Sequence, residues 1–263
     1  MPPSSVPGSD AETLDVPDFM RLAAPPQHPD FDGVPPLLLA ACRRFRHGVP
    51  DLDLQGSRRR FQVTWKTDIP RQVGLALAQW FRVELPPLRL ATLALEAETE
   101  ELGITAGPMD RIAQAFEGLL LMDFNEALPE TGVTRIDPEL LPPLFVAWDP
   151  GGGEASGRVH ADVRARWLAG DRDLRKAIAI FPAVVDDGMA CLARGHRSGF
   201  RAAIDRNFDT RAAIWPIGKR DRQMIEIARK QGAGAKFCGS GGAVVGCLEH
   251  GDRFGDLKKT YGE

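Results

Sequence analysis

The chain is poor in groups that hold metals or cross-link a fold. Its 263 residues include four cysteines and five histidines. Cys42, Cys191, Cys238 and Cys247 lie far apart and form no C-x-x-C pair. That pattern argues against a disulfide scaffold or a zinc site and fits reduced thiols. No two histidines stand at H-x-x-x-H spacing, which argues against a metal catalyst of that type. Long apolar runs are also missing: none approaches the ~18–20 residues of a membrane helix. Residues 1–15 carry neither a basic n-region nor an apolar h-region, so no secretory signal is expected there. Charge of one sign is scarce: Lys+Arg number 33 against Asp+Glu 36, a net −3 with no global pull on nucleic acid. A cytoplasmic protein without nucleic-acid or membrane partners is expected. The oligomeric state is not legible.

What is present is ordinary globular material, 43% hydrophobic and 26% charged. The length suits one large domain or two small ones. Residues 1–36 are rich in Pro, Ser and Asp without a period, and are expected to be a poorly ordered lead-in. Residues 37–46 suit a short helix. Phe61-Gln62-Val63-Thr64-Trp65 alternates with period two, a half-buried strand that Pro70 ends. A helix is expected over 87–102, with Pro87 in its first turn and Gly103 as its left-handed cap. Glu96, Glu98, Glu100 and Glu101 are assigned largely to its wet side. A second helix starts at Gly107-Pro108 and stops at Gly118, before a buried strand over 119–124. A Pro-rich joint precedes a further strand, 144–148. Helices over about 158–169, 171–195, 198–213 and 221–231 follow, then two apolar runs around Gly239-Ser240-Gly241-Gly242. Strands and helices mix without strict alternation, which favours α+β over a doubly wound sheet.

Among candidate site residues, Asp110 is the sharpest. With Pro108 as first helical residue it lies in the first turn, where exposed N–H groups and the helix dipole favour an anion. A carboxylate so held suits a general base; the plainer reading is ordinary helix-start chemistry. The glycine-rich turn at 239–242 could bring backbone N–H groups close to an anion, or simply turn a β-hairpin. Arg71 and Arg111 could fork onto a carboxylate or phosphate, or sit solvated at the surface. Lys236 beside the turn is open to the same alternatives. Asp123 is either buried with a partner or exposed. His160 is assigned a structural place, and Trp148 and Trp167 core or half-buried packing.

Several stretches together resemble the GHMP kinase superfamily, and most of all its sugar-acid kinases, the glucuronokinases. They are Thr67-Asp68-Ile69-Pro70-Arg71-Gln72-Val73-Gly74-Leu75, then Glu101-Leu102-Gly103-Ile104-Thr105-Ala106-Gly107-Pro108-Met109-Asp110-Arg111, with Asn207-Phe208-Asp209, Arg211 and Gly234-Ala235-Lys236-Phe237-Cys238-Gly239-Ser240-Gly241-Gly242-Ala243 further on. The resemblance implies a two-lobed α+β fold. The first lobe, residues 37–139, would be like ribosomal protein S5 domain 2, and the second, 140–263, ferredoxin-like, with ATP and substrate in the cleft between. It implies transfer of the ATP γ-phosphoryl group, with Mg²⁺, to the C1 hydroxyl of D-glucuronate. Asp110 would be the base, Gly74, Gly239, Ser240, Gly241 and Gly242 would face ATP or its phosphates, and Arg71 and Arg111 the uronate carboxylate. No metal ligand is assigned.

Two departures stand out. The superfamily's N-terminal strand with a basic residue is not visible in residues 1–36, and Gly74-Leu75 runs directly into Ala76-Leu77-Ala78 where a Gly/Ser-rich phosphate loop is expected. The first lobe is therefore read as incomplete. A catalytically inactive or fragmentary homologue, or a kinase for another sugar or an isoprenoid alcohol, is the competing expectation. A dinucleotide oxidoreductase is disfavoured, since no G-x-G-x-x-G follows a strand.

Overall fold

A five-residue strand, β1 (Glu12–Val16), pairs antiparallel with β2 (Phe61–Trp65), in register from Glu12↔Trp65 to Val16↔Phe61. The computed structural model describes residues 12–16, 18–23, 34–49, 61–65, 70–124, 132–151, 156–239 and 241–262. It divides into two units, Met1–Ile136 and Asp137–Glu263.

In the first unit β1 is followed by the single turn α1 (Phe19–Leu22). The next three helices each begin on a proline, whose missing N–H costs nothing in a first turn. They are α2 (Pro36–Gly48), α3 (Pro70–Phe81) and α4 (Pro87–Glu96). Phe19, Leu22, Leu38, Phe45, Leu77 and Leu93 form a shared core. The Phe19 ring meets those of Phe81 and Phe45 edge-on, at 4.9 and 6.3 Å. The expected lead-in thus contains a paired strand and two fully buried side chains, Phe19 and Leu22. Pro70 opens a helix, and residues 66–69 before it lie outside the described residues. Beyond α4 the helix widens into one π-helical turn, Ala97–Glu101. The amphipathic α5 (Met109–Phe116) follows, then β3 (Leu119–Met122) paired with β4 (Val133–Ile136), Leu119 opposite Ile136. The β3 side chains are half-buried and Phe124 beyond it is exposed, so this strand is no core element.

The second unit is built on a three-stranded antiparallel sheet in the order β5-β7-β6. Its strands are β5 (Leu144–Trp148), β6 (Gly234–Phe237) and β7 (Ala243–Cys247). Between β5 and β6 run α6 (Ser156–Leu168), α7 (Arg172–Ala193), α8 (Arg197–Ile214) and α9 (Lys219–Lys230); α10 (Phe254–Tyr261) closes the unit. Phe145, Phe208, Ile225, Phe237, Val244 and Leu257 make its core. Phe145 faces that core, and the alternating residues Leu144, Val146 and Trp148 face outward on an edge strand. Trp148 is 68% exposed, so it packs no core; Trp167 is exposed as well. Among the described residues the strands pair antiparallel and mix with helices, which makes the chain α+β as expected. No described helix is long and apolar enough to cross a membrane.

Asp171 caps α7, its Oδ1 accepting the backbone N–H groups of Asp173 and Leu174 at 3.0 Å each, while Arg166 Nε donates to Oδ2 at 2.9 Å. The Leu174 N–H and then the Arg166 guanidinium hold this carboxyl below its ordinary range. A carboxyl depressed in the folded state contributes stability above its unfolded pKa and loses it as pH falls through the folded one. Asp171→Ala is therefore expected to lower the urea midpoint at pH 7. The gap from wild type should close as the solution is acidified through the carboxylate range. A gap that does not change with pH would contradict the role.

Candidate active site

The first cluster lies at the start of α5. Gly103, with φ +66°, ends the π-helical turn, and the Ile104 N–H donates to the Glu98 carbonyl at 2.9 Å. Pro108 takes helical angles and leads into α5, putting Asp110 in its first turn. The Asp110 side chain is 77% exposed. Beside it, Arg111 is drawn inward: its guanidinium grips Glu98 with two nitrogens, Nε donating to Oε1 at 3.1 Å and Nη2 donating to Oε2. Its Nη1 donates to the Gly107 carbonyl at 3.3 Å and to Asp110 Oδ2 at 3.4 Å. Glu98 is only 7% exposed. The wet-side assignment therefore fails for this residue, because a buried carboxylate is tolerable when a forked arginine satisfies it. The same turn ties back to α2: Arg43 donates to Glu101 at 3.0 Å, and Arg44 pairs with Glu100 and Glu101. Charge pairs thus anchor the segment that presents Asp110.

The second cluster surrounds the turn between β6 and β7. Cys238 N–H donates to the Ala243 carbonyl at 3.1 Å, so the turn closes a β-hairpin. Gly241 and Gly242 have φ of +147° and +75°, a backbone that side chains rarely adopt. Asp221, in the first turn of α9, explains the first of these glycines: a Cβ on Gly241 would stand 2.8 Å from Asp221 Oδ2. Asp221 Oδ1 accepts the Gly242 N–H at 2.8 Å, and the Asp149 N–H donates to the Gly242 carbonyl at 2.9 Å. From α8, Arg211 Nη1 donates to the Gly239 carbonyl at 2.7 Å. The Arg211 guanidinium lies 4.6 Å from the Trp215 ring centre and 5.3 Å from that of Phe237. Burial lowers its pKa, opposed by the charge of Asp221. Lys236 folds its Nζ back to the Phe237 carbonyl at 2.8 Å; burial lowers its pKa and Arg211 lowers it further, against the opposite pull of Cys238.

The residues assigned from the sequence are distributed as follows. Asp110 and Arg111 stand together in the first unit, and Gly239, Gly241 and Gly242 share one turn in the second. Gly74 lies buried inside α3, where a Cβ would stand 2.7 Å from Leu90 Cδ1, so helix packing accounts for this glycine. Arg71 belongs to the first turn of α3, and its side chain lies outside the described residues, as do Ser240 and the His160 side chain. Asp123 is exposed, its N–H donating to the Gly132 carbonyl at 2.7 Å. Glu98, Arg211 and Asp221 were not singled out as site residues. Their partners lie 13, 28 and 21 positions away, beyond any local pattern.

No family model matches the chain. It is similar to probable glucuronokinase 2 of Arabidopsis thaliana, 36% identical over 235 residues, covering 80% of this chain and 63% of that protein. The chain thus spans less than two thirds of that relative's length. Among solved structures it resembles Lactococcus lactis galactokinase complexed with galactose, with a TM-score of 0.69, 16% identity, and coverage of 86% of this chain and 69% of that one. It also resembles Streptococcus pneumoniae phosphomevalonate kinase in complex with phosphomevalonate and AMPPNP, with a TM-score of 0.69, 13% identity, and coverage of 95% and 85%. The chain shares its fold with these two solved kinases. In sequence it resembles glucuronokinase over most of its length.

Proposed function

We propose that the chain is an ATP-dependent sugar-acid kinase that phosphorylates the C1 hydroxyl of D-glucuronate. The observation that carries this reading is the 36% identity to a probable glucuronokinase over 235 residues, more than either unit alone contains. The local geometry supports it. Asp110 is an exposed carboxylate in a first helical turn, with Arg111 Nη1 3.4 Å from its Oδ2. In the proposed reaction the C1 oxygen attacks the γ-phosphorus, its proton passes to Asp110, and the bond from phosphorus to ADP breaks. Such transfer depends on positioning and charge neutralisation more than on covalent help. The turn at 239–242 is proposed to face the phosphates. Mg²⁺ would neutralise phosphate charge; it usually takes one or two protein carboxylates plus phosphate and water oxygens. Among the described residues no three His, Cys, Asp or Glu side chains form a metal cage.

One observation favours a second reading, a homologue without phosphoryl transfer. Pro70–Phe81 is one continuous helix with Gly74 packed inside it, so this segment offers no glycine-rich cradle at a free helix N-terminus. Titration calorimetry with MgATP separates the two. Saturable binding, with label passing from γ-labelled ATP to glucuronate more than tenfold faster than to glucose or mevalonate, is the expected result. Binding without transfer to any acceptor would favour the second reading. Transfer to neutral sugars alone would move the substrate assignment.

A further inference from the structure

We propose that Arg211 is an oxyanion-binding residue of the glycine turn, taking a carboxylate or phosphate group of the ligand. This rests on the kinase reading for the identity of the ligand, but not for the site itself. Arg111, one of the arginines assigned to the substrate carboxylate, has its fork filled by Glu98. Arg211 is in the opposite condition. One of its nitrogens, Nη1, is spent on the Gly239 carbonyl. Its Nε is buried and has no acceptor among the described residues. Trp215, on whose ring the guanidinium stacks, likewise keeps a buried indole N–H without an acceptor.

Buried orphan donors are rare and costly, and two side by side call for an explanation. Arg43 and Arg44 also have a buried Nε without a well-aligned acceptor, but their charges are met by Glu100 and Glu101. Arg211 makes no ion pair within 4.0 Å among the described residues, and Asp221 acts on it only through the longer-range field. The aromatic faces of Trp215 and Phe237 and the bond to Gly239 hold the guanidinium plane beside the turn. A guanidinium of fixed orientation with no carboxylate partner among the described residues matches an oxyanion, a carboxylate or a phosphate. Lys236, carried on the adjoining strand β6, adds a second cation whose charge is disfavoured by burial and by Arg211 itself. An incoming anion would relieve both.

The test uses the full chain as wild type, Arg211→Lys and Trp215→Phe. Arg211→Lys keeps the charge and removes the fork; Trp215→Phe keeps an aromatic face and removes the N–H. Calorimetry with MgATP, inorganic tripolyphosphate, D-glucuronate and D-glucose gives four affinities for each protein. Arg211→Lys is expected to bind an anionic ligand at least tenfold more weakly, with an unchanged thermal midpoint. Loss confined to tripolyphosphate and MgATP makes phosphate the source of the oxyanion, and loss confined to glucuronate makes it the carboxylate. Unchanged affinity for all anions in the folded variant overturns the proposal. The Arg211 Nε–H resonance of the wild-type protein, identified by its disappearance in Arg211→Lys or by triple-resonance assignment, gives a readout independent of activity. It is expected to shift on saturation with tripolyphosphate or glucuronate and not with glucose; a resonance indifferent to both anions overturns the proposal even if Arg211→Lys fails to fold. A wild-type protein that binds tripolyphosphate through Arg211 but transfers no phosphate would refute the kinase reading and leave this site standing.

Discussion

Asp110→Asn is expected to fold like the wild type and to lose phosphoryl transfer to glucuronate by ~10²–10⁴-fold in kcat, the usual worth of a positioned general base. Folding should survive because little of Asp110 is committed to packing. Its side chain is 77% exposed, and its ion pair to Arg111 is 3.4 Å long. Exposed pairs and first-turn charges each contribute about 1 kcal/mol or less. Asparagine keeps the shape and the acceptor oxygen but has no basic site for the proton. The loss should therefore appear in kcat, with the KM for MgATP within a few fold of wild type. Initial rates over a range of both substrates, with a circular dichroism melt, separate these effects. A folded variant retaining a third or more of the wild-type kcat would remove Asp110 from the chemistry.

Glu98→Ala is expected to be the most destabilising change at the site, by about 3–5 kcal/mol, the usual cost of leaving a buried charge without its partner. Glu98 is 7% exposed, and the Arg111 side chain it satisfies is 16% exposed. Removing the carboxylate strands a guanidinium that cannot be deprotonated at any ordinary pH. The variant Glu98→Ala/Arg111→Met removes both charges and should recover part of the loss, because no charge is then left buried without its partner. Urea unfolding of the two single variants and the double variant closes a mutant cycle. A Glu98→Ala midpoint within about 1 kcal/mol of wild type would mean that the pair does not hold the π-helical turn to α5.

Local signals were legible where a boundary is a local matter. Gly103 takes φ +66° where a left-handed cap was expected, and Gly107-Pro108 leads into α5 as its composition required. The runs on either side of 239–242 form the expected hairpin. Long-range partners were not legible. Glu98 sits in the run Glu96-Ala97-Glu98-Thr99-Glu100-Glu101, which looks solvated in any short window; Arg111 buries one member and leaves Glu100 mostly in water. The strand β1 is only five residues long, and Phe19 is buried in a core that includes Phe45 and Phe81 from helices far along the chain. Pro70 was read as the end of a strand, yet a proline that stops one element is also well suited to start a helix. Arg211 carries part of the resemblance but no local sign of a role, because the ring of Phe237 and the carbonyl of Gly239 reach it only when β6 packs beside α8.

The most direct test is where the phosphate goes. The 263-residue chain incubated with MgATP and D-glucuronate, and followed by phosphorus–proton correlation NMR, should yield a new phosphate coupled to the anomeric proton of the sugar acid, absent with Asp110→Asn. Hydrolysis of ATP to free phosphate alone, or a phosphate on any carbon other than C1, would contradict the account.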